Sequence, residues 1–135
     1  MDVQNMVTGE NQFVTYNNIQ VMEADLDHAV MQHVISNTSL NPYGIVHGGV
    51  YFTMQDVAAG TVARMDGRHY VTLSSSNRFL KATEKGRLTA TGHLVHRGRT
   101  VCTVNTEVRD EQGKLVADGA FTMYCLDPDK PMKKD

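Results

Sequence analysis

The segment VYFTMQDVAAGTVARM, from Val50 to Met65, constrains this 135-residue chain more than any other. It reads as a helix about 24 Å long. Its apolar residues lie all round the axis, and only Gln55, Asp56 and Arg64 are strongly polar. Such a helix must be covered on most sides. No comparable second helix is visible, so the cover has to come from strands. The runs HYVTLSSSNRFL, GRLTATGHLVHR, TVCTVNTEVRD and KLVADGAFTMYCL supply four. Between them stand Glu84-Lys85-Gly86, Arg97-Gly98-Arg99 and Asp110-Glu111-Gln112-Gly113, all good turn sequences. The stretch from Ile19 to Ser36 adds two strands with a turn near Asp25 to Asp27. One buried helix and about six strands joined by short turns predict an α+β fold. In it, a curved antiparallel meander wraps the helix.

The length fits one domain over residues 1–135, with a core of about 15–125. Hydrophobic residues at 41% and charged residues at 21% suit a globular chain that buries its core without metal or disulfide. Cys102 and Cys125 are too few for a disulfide framework and read as small apolar residues in strands. A net charge of −2 argues against general nucleic-acid binding. The 28 residues from His28 to Gln55 lack Asp, Glu, Lys and Arg, yet their Asn, Gln, Ser, Thr and Pro rule out a membrane span. The first ten residues are unlike a signal peptide and could start a short helix or edge strand. The working class is a cytoplasmic protein, and the C-terminal DPDKPMKKD is expected to fray. Charge is unevenly spread. Arg78, Lys81, Lys85, Arg87, Arg97 and Arg99 face Glu84 alone, a local balance of +5 that leaves −7 for the remainder. This is either a solvated face or a site for a phosphorylated small molecule.

Two features point to chemistry. Asp56 puts a carboxylate in the middle of a nearly all-apolar helix, which is costly unless the group is paired or functional. It either caps a neighbouring loop or serves as a general base. His47-Gly48-Gly49 stands where the loop SNTSLNPYGIVHGG meets the helix. The first helical N–H groups are free there, and glycines let a ligand oxygen approach them, so the junction is either an oxyanion site or a plain flexible helix start. Lipase-type oxyanion loops also carry His-Gly-Gly but require a G-x-S-x-G elbow, absent here. Ser74, Ser75 and Ser76 lack an elbow, and the six histidines show no metal-binding spacing. Asn37-Thr38-Ser39 matches a glycosylation sequon by chance in this reading.

The segment NPYGIVHGGVYFTMQDVAAG resembles the signature of hotdog-fold acyl-CoA thioesterases of the PaaI type. The shared residues are Asn41, Gly44, His47, Gly48, Gly49 and Asp56, and the similarity extends over about residues 15–125. The resemblance implies a long central helix wrapped by an antiparallel sheet, and hydrolysis of an acyl-CoA to free acid and CoA with no cofactor. It implies that the Gly48 N–H binds the thioester carbonyl oxygen, with Gly49 beside it. Asn41 and His47 would shape the loop, and Asp56 of the partner subunit would act as base or nucleophile. Thr72, or else Ser74, would orient water. Arg97, Gly98 and Arg99 would receive the nucleotide phosphates. It further implies a homodimer or homotetramer with sites at the interface. Alternative readings are a hotdog enoyl-thioester hydratase or dehydratase, and a non-catalytic acyl-CoA-binding module.

Overall fold

A computed structural model describes residues 11–134, so the reading of the first ten residues lies outside it. The elements are α1 (Gln12–Tyr16), β1 (Ile19–Ala24), β2 (His28–Val34), a 3₁₀ turn (Asn37–Ser39), α2 (Gly48–Arg64), β3 (Tyr70–Phe79), β4 (Arg87–Arg97), β5 (Val101–Arg109) and β6 (Leu115–Cys125). The six strands form one antiparallel sheet in the order β1-β2-β4-β5-β6-β3. Its inner face wraps α2, as the resemblance implies.

Turn chemistry sets the hairpins. The Asp25 carboxylate accepts the Asp27 and His28 N–H groups at 2.8 and 2.9 Å and closes the β1–β2 turn. Asp110 repeats this between β5 and β6, accepting from Gln112 and Lys114, with Gly113 at φ +80°. The β3–β4 connection differs from the meander expected. Residues 84–86 do not join neighbouring strands, because β4 pairs with β2 and β5 while β3 pairs with β6 at the far edge. Helix α2 carries the chain across the sheet and delivers β3 there. Residues 80–86 then run back along the sheet end, held by Leu80 and Lys81 on the Val116 carbonyl and by the Thr83 carbonyl on Val46.

The core lies between α2 and the sheet. Met54, Ala58 and Val62 of the helix are fully buried, as are Met31, Leu88, Ala90 and Val104 from the strands. Helix and sheet approach closely at Gly92, where a Cβ would stand 3.2 Å from the Ala58 carbonyl carbon and oxygen. Cys102 and Cys125 are free thiols buried in β5 and β6. The C-terminal segment touches the stretch between α2 and β3. Leu126 and Lys133 donate N–H groups to the His69 and Asp66 carbonyls, and Asp127 accepts from the His69 amide and ring. That pairing with His69 holds the Asp127 carboxyl down at about 2. Among the described residues, no helix is long and apolar enough to cross a membrane.

Candidate functional site at the α2 N-terminus and along β3

Helix α2 starts two residues before the predicted Val50, because His47 caps it. The His47 Nδ1 accepts the Gly49 N–H at 2.8 Å, which leaves the ring proton on Nε2. The Gly49 N–H is thereby used within the chain. The Gly48 N–H has no acceptor among the described residues. It stands beside an aromatic wall, since a Cβ at Gly48 would meet the Phe79 ring at 3.5 Å.

The loop leading to this point is held from three sides. Asn41 Oδ1 accepts the Tyr43 and Ile45 N–H groups at 2.9 and 3.3 Å, and Gly44 takes φ +77° inside that turn. Asn41 therefore shapes the loop. The His47 N–H donates to the Ser39 carbonyl and the Val46 N–H to the Thr83 carbonyl. Beneath them the buried His33 ring bridges the Asn18 carbonyl and the Ser39 hydroxyl, a support that sequence reading passed over.

Asp56 is half-buried on the helix face that meets the edge strand β3. The Thr72 hydroxyl donates to its Oδ1 at 2.5 Å. A register shift after Thr72 turns Ser74 to the outer face, because Ser75 pairs with buried Phe121 while Ser74 pairs with Thr122. Thr72 is therefore the hydroxyl that reaches the carboxylate. One turn beyond Asp56, the Arg64 guanidinium lies over Gly60, 2.9 Å from where a Cβ would be. Burial lowers the Arg64 pKa, with the Asp56 charge acting the other way. Gln55 faces inward and is fully buried. Its Oε1 accepts from Thr106 and Asn77 at 2.7 and 3.2 Å, which ties the helix to β5 and β3.

Asp56 and Gly48 stand eight residues apart on one helix, about 12 Å along its axis. No single thioester carbonyl can meet both in one chain.

The basic turn divides its labour. Arg97 does not face solvent. Its guanidinium donates to the Val62 and Ala63 carbonyls at the end of α2, to the Leu26 carbonyl and to Asp66. It caps a helix rather than waiting for a phosphate. Arg99 is 65% exposed, and its guanidinium meets the Asp129 carboxylate. Behind the turn, Asp66, Arg68 and Tyr70 form a buried polar cluster. Sequence reading saw Asp66 only as a helix stop, because burial of a charged residue leaves no mark on local pattern. Among the described residues, no group of three or more His, Cys, Asp or Glu is placed to hold a metal ion.

The family model for the thioesterase superfamily matches residues 43–117. The acyl-coenzyme A thioesterase PaaI of Escherichia coli K12 is 28% identical over 73% of this chain and 71% of its own. A hypothetical thioesterase of Streptococcus pneumoniae TIGR4, solved with coenzyme A, is 34% identical at a TM-score of 0.77, covering 87% of this chain and 89% of that one. The protein smu.793 of Streptococcus mutans UA159, solved bound to acetyl CoA, is 32% identical at 0.78, covering 88% and 94%. In the S. pneumoniae protein, an aspartate and a threonine have each been replaced by alanine. They stand 16 residues apart, the separation of Asp56 and Thr72 here.

Proposed function

The chain belongs to the thioesterase superfamily, and from that premise we propose how its residues hydrolyse the thioester bond of an acyl-CoA. The observation that carries the reading is the Thr72–Asp56 hydrogen bond, set about half the length of α2 from an unused Gly48 N–H. Two copies of the chain resolve the separation. Strand β3, 10 residues long, is a sheet edge with no further strand beside it among the described residues. Pairing it with a second β3 makes one continuous sheet and brings Asp56 of one protomer towards Gly48 of the other. Two such dimers make the homotetramer.

Each group then has one task. The Gly48 N–H, at the positive end of α2, receives the carbonyl oxygen as it gains charge. The hydroxyl of Thr72 holds one oxygen of Asp56. The other oxygen takes a proton from water as that water attacks the carbonyl carbon, and the thiolate of CoA leaves. Arg99, exchanging Asp129 for phosphate, takes the nucleotide handle. Asn41 and His47 fix the loop that aims Gly48.

A thiol-release screen across acyl-CoAs tests the reading. We expect turnover that Thr72→Ala lowers and that Asp56→Asn lowers by about 10²-fold or more. If enoyl-CoA instead loses its conjugated chromophore without thiol release, the chain is a hydratase. Tight acyl-CoA binding with no release makes it a binding module.

A further inference from the structure

The turn from Arg97 to Arg99 is anchored far more heavily than a strand connection requires. The β5–β6 turn closes on Gly113, on the Asp110 side chain, which also takes Lys81, and on the exposed Arg109, which donates to the Gly113 carbonyl. At the β4–β5 turn, the buried Arg68 guanidinium, the half-buried Arg97 guanidinium and the buried Asp66 carboxylate converge. Arg68, whose side chain is 1% exposed, spans the turn backbone. Its Nη1 donates to the Arg99 carbonyl at 2.8 Å and its Nη2 to the Gly98 carbonyl at 3.0 Å. The Nε of Arg68 donates to Asp66 Oδ2 at 3.1 Å, and the Tyr70 hydroxyl accepts from Nη2 at 2.6 Å. Asp66 Oδ2 also receives the Tyr70 hydroxyl and Arg97 Nη1, at 2.7 and 2.8 Å.

Buried charges are expensive, and a cluster holding two cations and one carboxylate is more so. The surplus cation is satisfied by backbone carbonyls, three of them at Leu26 and the end of α2 and two in the turn itself. The product of this arrangement is a rigid turn with one guanidinium outside. That outward group, Arg99, already holds an anion, the Asp129 carboxylate of the chain's own C-terminal segment.

The geometry points to Arg68 as a positioning residue for substrate recognition, clamping the Gly98 and Arg99 carbonyls so that Arg99 is presented to the phosphates of the acyl-CoA. The inference rests on the reading of Arg99 made above. Arginine is required because two adjacent carbonyls need two nitrogens in a fixed fork, whereas lysine offers one.

The test compares acyl-CoA with the same acyl group on N-acetylcysteamine, a thiol without phosphates. Arg68→Lys should raise KM for acyl-CoA roughly threefold to tenfold, the scale of one charge-assisted contact near water. It should leave kcat unchanged, and both constants unchanged for the short thioester. Arg99→Ala should give the same pattern, and the double variant should add nothing. Tyr70→Phe, which loosens one arm of the clamp without touching its bonds to the turn, should give a smaller rise with acyl-CoA alone. It decides the matter if Arg68→Lys melts early. A KM for acyl-CoA that rises in Arg99→Ala but in neither Arg68→Lys nor Tyr70→Phe overturns the positioning role. A KM unmoved by Arg99→Ala overturns the phosphate reading first, and this inference with it.

Discussion

The chemistry proposed for this chain depends on two oxygens of one carboxylate having different neighbours. Thr72 holds Oδ1 of Asp56, so the remaining oxygen is aimed rather than free to rotate. Asp56→Asn preserves shape and one acceptor but removes the base. Its kcat should fall by about 10²-fold or more, while acyl-CoA affinity holds. Stability should hold or rise, since a half-buried charge is lost. Simultaneous measurement of kcat, ligand affinity and melting temperature separates this from a structural carboxylate, which would melt early and turn over normally. Glycines give a second residue-scale contrast. In Gly60→Ala the new Cβ meets only the far end of the Arg64 side chain, which can move, so the variant should gain about 0.5–1 kcal/mol. In Gly92→Ala it meets the Ala58 backbone, which cannot, and the cost should be about 1–3 kcal/mol. Denaturant titration of the pair reads both signs.

At the scale of elements, the end of α2 depends on the cluster beneath it. Burial alone would raise the Asp66 pKa, but the Tyr70 hydroxyl, the Arg68 amide and the Arg97 guanidinium outweigh it and hold the carboxyl below its ordinary value. A depressed folded-state pKa means the stabilisation is complete above the unfolded carboxylate range, about pH 4, and is lost as pH falls through the folded value. Melting temperature should therefore drop on acidification below about pH 4, and more shallowly in Asp66→Asn. At neutral pH that variant should cost about 3–5 kcal/mol, because both guanidinium groups lose their partner. The same cluster marks the limit of what the sequence carries. Helix α2 was legible because an all-round apolar segment has few other uses, and the β1–β2, β4–β5 and β5–β6 pairings were legible from turn residues and alternation. The place of β3 was not, because a strand's partner depends on where the preceding helix delivers it. The charges of Arg97 and Arg99 were equally visible in the sequence. That one is turned in onto helix carbonyls and the other is outside follows only from tertiary packing.

For the whole molecule, the helix geometry sets the central claim. Gly48 and Asp56 are too far apart on α2 to serve one carbonyl, so the site as proposed draws on two chains. Gly48→Pro removes the one N–H at issue with little disturbance. Proline is favoured at the first position of a helix. His47, at φ −63° and ψ 136°, already has the extended backbone that a following proline requires. The variant should lose about 10²–10³-fold in kcat, the usual effect of removing an oxyanion donor, while remaining folded. The decisive measurement mixes Gly48→Pro and Asp56→Asn chains, each inactive alone, by refolding them together in equal amounts. Random pairing of subunits makes half of the dimers mixed, and each mixed dimer has one site with both groups intact. Thiol release should recover to about a quarter of the wild-type rate. Recovery to that level supports a site shared between chains, and a mixture no more active than its two components contradicts it.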